Sequence, residues 1–206
     1  ATYIFNNKNL GYGRAHNIAL EKSLKTNAKY HLVLNSDIEF TSDVITQLTK
    51  FMDENPDIGH AMPLVRYPNG NIQYLAKQLP SPFDLFARRF MPKSWFKNRT
   101  AKFENHAFYQ NHNYKSQLLD VPYLSGCFMF LRCDALRKVG LFDPRFFMYP
   151  EDIDLTRRIH QLYRTVMYPA VEITHNHAQS SYHSFRLLWI HITNMIKYFC
   201  KWGFFR

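Results

Sequence analysis

A chain of 206 residues with 46% hydrophobic and 17% aromatic content has enough apolar side chains for one substantial core, which excludes a disordered polypeptide. Cys127, Cys133 and Cys200 are odd in number and form no CxxC pair, which argues against a disulfide framework and a cysteine metal site. No apolar run reaches the length of a membrane-spanning helix and no signal-peptide layout opens the chain, so the expected setting is cytoplasmic, while the formal charge of +10 asks for an anionic partner such as nucleic acid, a phosphorylated small molecule or an acidic lipid surface.

Thr2 to Phe5 reads as a short strand. Gly11 and Gly13 then make a turn that launches a helix from about His16 to Lys25, whose first backbone amides can meet a phosphate. Leu32, Val33 and Leu34 form a buried-type strand ending in Asn35, Ser36 and Asp37, so polar groups sit at a strand's carboxyl end, where ligands collect in open α/β sheets. Thr41 or Ser42 caps a structural helix in which Val44, Ile45, Leu48, Phe51 and Met52 recur at three- and four-residue spacing, closed by Asn55-Pro56. Ile58 to Val65 is the next strand, and the turn Pro68-Asn69-Gly70-Asn71 predicts a hairpin with Ile72 to Leu75.

Over 77–116 periodicity is lost. Arg88, Arg89, Lys93, Lys97, Arg99 and Lys102 interleave there with Phe83, Phe86, Phe90, Trp95, Phe96 and Phe103. This is the pattern of an irregular binding loop for a sugar, a diphosphate or a lipid headgroup; single-stranded nucleic acid ranks last among its ligands.

Gly126 to Leu131 reads as a strand, Asp134 to Val139 as a short helix capped by Gly140, and Pro150 to about Leu162 as a longer helix. Asp143, Glu151, Asp152 and Asp154 fall among Phe142, Phe146, Phe147, Met148 and Tyr149. Partial desolvation and mutual repulsion raise such carboxyls towards the range of a general base, although the same acids also suit the first turn of a solvated helix. Asp154 and Arg158, four residues apart, can pair on one helix face; Asp152 has no such neighbour. Val166 to Ile173 is a strand delivering His175 and His177, either of which can donate one metal ligand. In the tail, Phe185, Leu188, Trp189, Ile192, Met195 or Ile196, Phe199 and Trp202 form one helical stripe opposed by Arg186, Asn194, Lys197 and Lys201. That stripe suits core packing or a membrane surface.

Four blocks, NKNLGYGRAHN (7–17), LNSD (34–37), SGCFMFLRCDALRKVGLFDPRFFMYPEDIDLTRR (125–158) and THNHAQSS (174–181), together resemble the inverting family 2 glycosyltransferases with the GT-A fold, and among these the bacterial rhamnosyltransferase-like members. The third block is the most specific, because its glycine-led strand, GLFD turn, FFMY aromatics and EDIDL acids stand at the family's distances. The resemblance implies an α/β fold: a Rossmann-like, mixed, mostly parallel sheet flanked by helices over 1–182, with 77–116 as an acceptor-side loop and an amphipathic helix over 183–206. It further implies that Asp152 is the base that deprotonates an acceptor hydroxyl attacking the anomeric carbon opposite the leaving nucleoside diphosphate, with inversion, and that Glu151 supports it. Asp37 is implied as ligand to a divalent cation, Mg or Mn, with His175 completing the site better than His177. Asn9, Gly11, Gly13, Asn17, Asn35 and Arg158 fall on the donor side; Arg158 either pairs with Asp154 or lies close to the diphosphate.

Three departures accompany the likeness. Asn35 stands where the general motif has an acid, and Ala178 and Gln179 stand where glycines are usual. The strand, helix and second strand that normally open the family, ending in a DNxS-type motif that holds the nucleobase, are absent from this sequence. One or two βαβ-sized units of ~30 residues are therefore expected upstream, and the chain as written is not expected to bind a nucleotide sugar normally. The implied function is transfer of a sugar, rhamnose for example, from a nucleoside-diphosphate donor to a saccharide or lipid-linked saccharide acceptor in cell-surface polysaccharide or lipopolysaccharide synthesis. The expected location is peripheral, on the inner face of the plasma membrane, with no nucleic-acid partner. The alternative is a non-catalytic module that binds anionic lipid or polysaccharide.

Overall fold

The computed structural model describes residues 2–82, 109, 112–114, 119–176 and 185–204. Most of the basic-aromatic stretch and His177 lie outside the described residues. In chain order the elements are α1 (Tyr12–Leu24), β1 (Tyr30–Leu34), β2 (Ile38–Glu39), α2 (Ser42–Glu54), β3 (Ile58–Arg66), β4 (Ala76–Lys77), β5 (Leu119–Asp120), β6 (Tyr123–Leu124), β7 (Phe128–Arg132), α3 (Cys133–Val139), α4 (Glu151–His160), β8 (Arg164–His175) and α5 (Phe185–Trp202).

The main sheet runs β1-β7-β3-β8-β2, with β5 added to β8, while β4 and β6 pair separately. Parallel pairing was expected to dominate. Among the described strands only β3 and β8 pair in parallel, and β7 lies antiparallel to both β1 and β3. The reason is topological: β7 enters between β1 and β3 from the opposite end of the sheet. The consequence for function is that the carboxyl ends of β1, β3 and β8 share one edge with the start of β7.

Side-chain alternation along the strands builds a core on each face. Leu32, Leu34, Phe128 and Phe130 point to the side covered by α2, whose Val44, Leu48 and Met52 recur every four residues and are buried. Val33, Met129 and Leu131 point the other way, against Leu20 of α1, Ala135 and Leu136 of α3, and Leu155 and Ile159 of α4. A third cluster joins Phe146 and Ile153 to Met195, Tyr198 and Phe199 of α5.

Thr2 to Phe5, expected as a strand, is not one. Tyr3 and Phe5 remain 85% and 72% exposed, and without a ladder partner the β-forming side chains have nothing to order them. Helix α1 begins at Tyr12, four residues ahead of the expected start. The hairpin after β3 closes through Gly70, but beyond it only Ile72 bridges to Arg66 before the chain leaves to form β4.

Candidate active site

Asp152 lies in the first turn of α4 and is 9% exposed. Its Oδ2 accepts the Gly126 backbone N–H at 2.8 Å and faces the Tyr123 hydroxyl at 3.4 Å, and its Oδ1 accepts the Ile153 N–H at 2.8 Å. A Cβ on residue 126 would stand 3.0 Å from the Asp152 Cβ, so the glycine that opens β7 lets the backbone reach the carboxylate. Glu151 is also buried, and its Oε2 has no hydrogen-bond partner among the described residues. Burial and the neighbouring Asp152 push the Glu151 carboxyl up, and burial pushes Asp152 up as well. The Gly126 and Ile153 N–H groups, the Tyr123 hydroxyl and the Lys77 ammonium favour the charged form of Asp152, against one backbone hydrogen bond at Glu151, so Asp152 is the better-supported site for a negative charge shared by the pair.

Asp37 and His175 are brought together by the β2–β8 pairing, which sets Ile38 opposite His175. His175 Nε2 stands 3.4 Å from Asp37 Oδ1, and His175 Nδ1 lies 2.9 Å from Gln73 Oε1. Gln73 uses its Nε2 to donate to the His175 carbonyl at 2.7 Å. Its Oε1 is therefore the acceptor, and His175 Nδ1–H is the donor. In the neutral imidazole this fixes the lone pair on Nε2, facing a carboxylate, the pairing that a divalent cation between them would satisfy. The donor set fits such an ion with two protein ligands and the rest from phosphate and water. Among the described residues no group of three or more His, Cys, Asp or Glu side chains could hold a metal.

The two halves meet at Cys127. Asn35 donates its backbone N–H to the Cys127 carbonyl at 2.9 Å, extending the β1–β7 ladder into the LNSD segment. The Cys127 thiol, pushed up to about 12 chiefly by burial, also feels both Asp152 and Asp37. Asn35 itself is half-buried at this junction.

The remaining expected donor-side residues are occupied differently. Asn9 Oδ1 accepts the Gly11 N–H at 2.9 Å, and Tyr12 donates its N–H to the Phe147 carbonyl at 3.0 Å. Gly11 holds φ 82°, and a Cβ there would meet the Phe147 carbonyl oxygen at 2.3 Å. Gly13 is buried against Phe142, while Asn17 donates to the Phe142 carbonyl and accepts its N–H. The start of α1 is thus docked on the 142–147 loop, and the amides of Gly11 and Tyr12 have acceptors within the fold. Arg158 pairs with Asp154 at 2.9 Å and donates to the carbonyls of Val139, Gly140 and Leu141. Of its two expected roles, the pairing with Asp154 is the one this structure displays.

Asp143 also leaves the catalytic set. Arg145, and then Lys201, hold its carboxyl well below the usual range. Phe142 and Phe146, expected as walls around the acids, are core residues. Tyr149 takes φ 91°, a strained conformation for a non-glycine residue, immediately before Pro150 and the acidic turn. Its ring lies 4.7 Å from that of His191 on α5. Gln73, Tyr123 and Lys77 were not recognised from sequence; only the glycine of the LSGCF segment gave a local sign of close approach.

Comparison with known proteins places the chain in a family. The family model described as Glycosyl transferase family 2 matches residues 1–140, which includes Asp37 and Gly126 but stops short of α4. An N-acetylglucosaminyl-diphospho-decaprenol L-rhamnosyltransferase of Mycobacterium tuberculosis is 30% identical over 84% of this chain and 58% of its own length, so the chain spans little more than half of that relative. The rhamnosyltransferase WbbL of Escherichia coli K12 is 26% identical over 93% of this chain and 70% of its own. A crystal structure of GalNAc-T7 with UDP, GalNAc and Mn2+ superposes with a TM-score of 0.59 at 15% identity, covering 84% of this chain and 31% of that one, a likeness of fold, here the GT-A fold. With the match over most of its length and the acids gathered on one sheet edge, the chain belongs to glycosyl transferase family 2.

Proposed function

We propose that this domain carries out a single-displacement sugar transfer from a nucleoside-diphosphate donor to a hydroxyl of a saccharide acceptor. The observation that carries the proposal is the wiring of Asp152: a buried carboxylate fixed by the Gly126 N–H and the Tyr123 hydroxyl, next to the Asp37–His175 pair across Cys127. Asp152 takes the acceptor O–H proton as that oxygen bonds to the anomeric carbon. The bond from that carbon to the diphosphate oxygen breaks, and the product is inverted. Asp37 and His175 would hold the divalent cation, Mg or Mn, which when bound stabilises negative charge on the departing diphosphate. Glu151 stays protonated beside the base and leaves it the pair's single charge. The names of the bacterial relatives support a deoxyhexose such as rhamnose as the sugar, and a lipid-linked saccharide of cell-surface polysaccharide synthesis as the acceptor.

Calorimetry of dTDP-rhamnose binding to the full-length enzyme tests the donor half. Affinity should rise at least about tenfold with manganese, the order of a modest coupling energy, and Asp37→Ala should remove that gain. Binding that is indifferent to manganese would favour the non-catalytic binding module.

A peripheral location on the inner face of the plasma membrane belongs to the same proposal. No helix among the described residues is long and apolar enough to cross a membrane. The exposed Phe185 and Trp189 of α5, at 92% and 68%, lie on a chain of net charge +10, the combination that docks on anionic lipid. Because the second half of α5 is built into the core, deleting the helix would confound the test. Phe185→Asp with Trp189→Asp should instead reduce co-sedimentation with phosphatidylglycerol vesicles severalfold while leaving the fold intact; unchanged sedimentation would refute the docking.

A further inference from the structure

The small β4–β6 ladder is more than a structural appendage. Its register sets Ala76 opposite Leu124 and Lys77 opposite Tyr123, and side chains directly opposite in an antiparallel pair share a face. Lys77 Nζ accordingly stands 5.1 Å from the centroid of the Tyr123 ring, a cation-π contact. The hydroxyl of the same tyrosine faces Asp152 Oδ2 at 3.4 Å, on the oxygen that also receives the Gly126 N–H. The lysine charge is therefore one side chain away from the carboxylate.

We propose that Lys77 is a positioning residue for the transfer reaction, holding the Tyr123 ring at the base and keeping Asp152 ionised so that it can receive the acceptor proton. The inference rests on the reading of Asp152 as the base. Among the described residues, the titratable groups that face Asp152 are Glu151 on α4 itself, Tyr12 on α1, Tyr123 on β6, Cys127 ahead of β7, and Lys77 on β4. A carboxyl, two hydroxyls and a thiol among these ionise to anions. Among the described residues Lys77 is the cation of the group, and it pulls the Asp152 carboxyl down against the burial that pushes it up. Without it, two buried carboxyls and two tyrosines would face one another with hydrogen bonds alone to favour a charge, and the base would hold its proton to higher pH. A lysine that served only to complete the ladder would influence stability but not the ionisation of Asp152.

The test compares the full-length wild type with Lys77→Met, Lys77→Arg and Asp152→Asn. The pH profile of kcat/KM should show its acidic limb moved to higher pH by about half a unit or more in Lys77→Met, the effect of one charge several ångströms away even at high dielectric. Lys77→Arg should restore the wild-type limb. In protein labelled with 13C at the aspartate carboxyls, the resonance lost in Asp152→Asn identifies the base. Its titration midpoint should rise in Lys77→Met and return in Lys77→Arg, a readout that needs no turnover. Near-wild-type activity in Asp152→Asn would overturn the assignment of the base. An inactive Asp152→Asn together with an unmoved limb and midpoint in Lys77→Met would overturn the role of Lys77 alone.

Discussion

Asp154→Ala in the full-length protein is expected to lower unfolding free energy by about 3–5 kcal/mol, the usual cost of removing one partner from a buried ionic cluster. Asp154 is fully buried, and its two oxygens accept from Arg158 at 2.9 Å, Lys201 at 2.7 Å and the Trp202 indole N–H at 2.8 Å. The substitution removes a carboxylate from an arginine and a lysine that are only 15% and 21% exposed, leaving Lys201 with Asp143 and Arg158 with backbone carbonyls alone. For a domain of this size the loss corresponds to a melting temperature lower by roughly 6–20 °C.

A functional loss should accompany it. Asp154 is the carboxylate by which α4, one residue pair beyond the base, grips the end of α5. The same helix uses Asn194 Oδ1 to accept the Phe147 N–H at 3.2 Å and sets His191 against the strained Tyr149. Releasing α5 loosens the loop that delivers Glu151 and Asp152, so kcat should fall even at temperatures where the variant remains folded. Asp154→Asn keeps an acceptor for Trp202 and should be the milder change. A melting temperature within about 2 °C of wild type, equivalent to ~1 kcal/mol or less, would show that the cluster does not hold the helix.

The elements legible in the sequence are those whose signals are local. Helix α2 begins at Ser42 after Thr41, one of the two expected caps, and ends at Glu54 before Asn55-Pro56, with Val44, Leu48 and Met52 marking its buried face. Gly140 caps α3 as expected, with φ 81°. What escaped was set by distant partners. The β3–β8 pairing joins residues about a hundred positions apart, and no periodicity reports its direction. The apolar stretch Thr2 to Phe5 has strand composition, but strand composition without a neighbour does not make a strand.

The candidate site divides along the same line. Asp37, Glu151, Asp152 and His175 could be singled out from their segments, but their meeting depends on the β1–β7 register and on β2 pairing with β8. Gln73, which fixes the His175 tautomer, is an ordinary polar residue in its segment; its role exists only because the chain turns back after β3. The glycines and Asn17 of the first block have intramolecular contacts that their segment does not announce. A helix start with free amides resembles an anion site in sequence, whereas in the fold Asn9 and Phe147 supply the acceptors.

The central claim is that one carboxylate, Asp152, accepts the acceptor proton, and Asp152→Asn in the full-length enzyme addresses it with little change of shape. Asn Oδ1 can still accept the Gly126 N–H that fixes the side chain, while the amide cannot act as a base at neutral pH. Loss of a positioned general base costs on the order of 10²–10⁴ in rate, so kcat should fall about 1000-fold. Calorimetry on the same variant should show dTDP-rhamnose affinity in manganese within about threefold of wild type, since Asp37 and His175, the proposed cation ligands, lie on the other side of Cys127. A variant that turns over within about tenfold of wild type would contradict the account and leave the buried carboxylate a structural group.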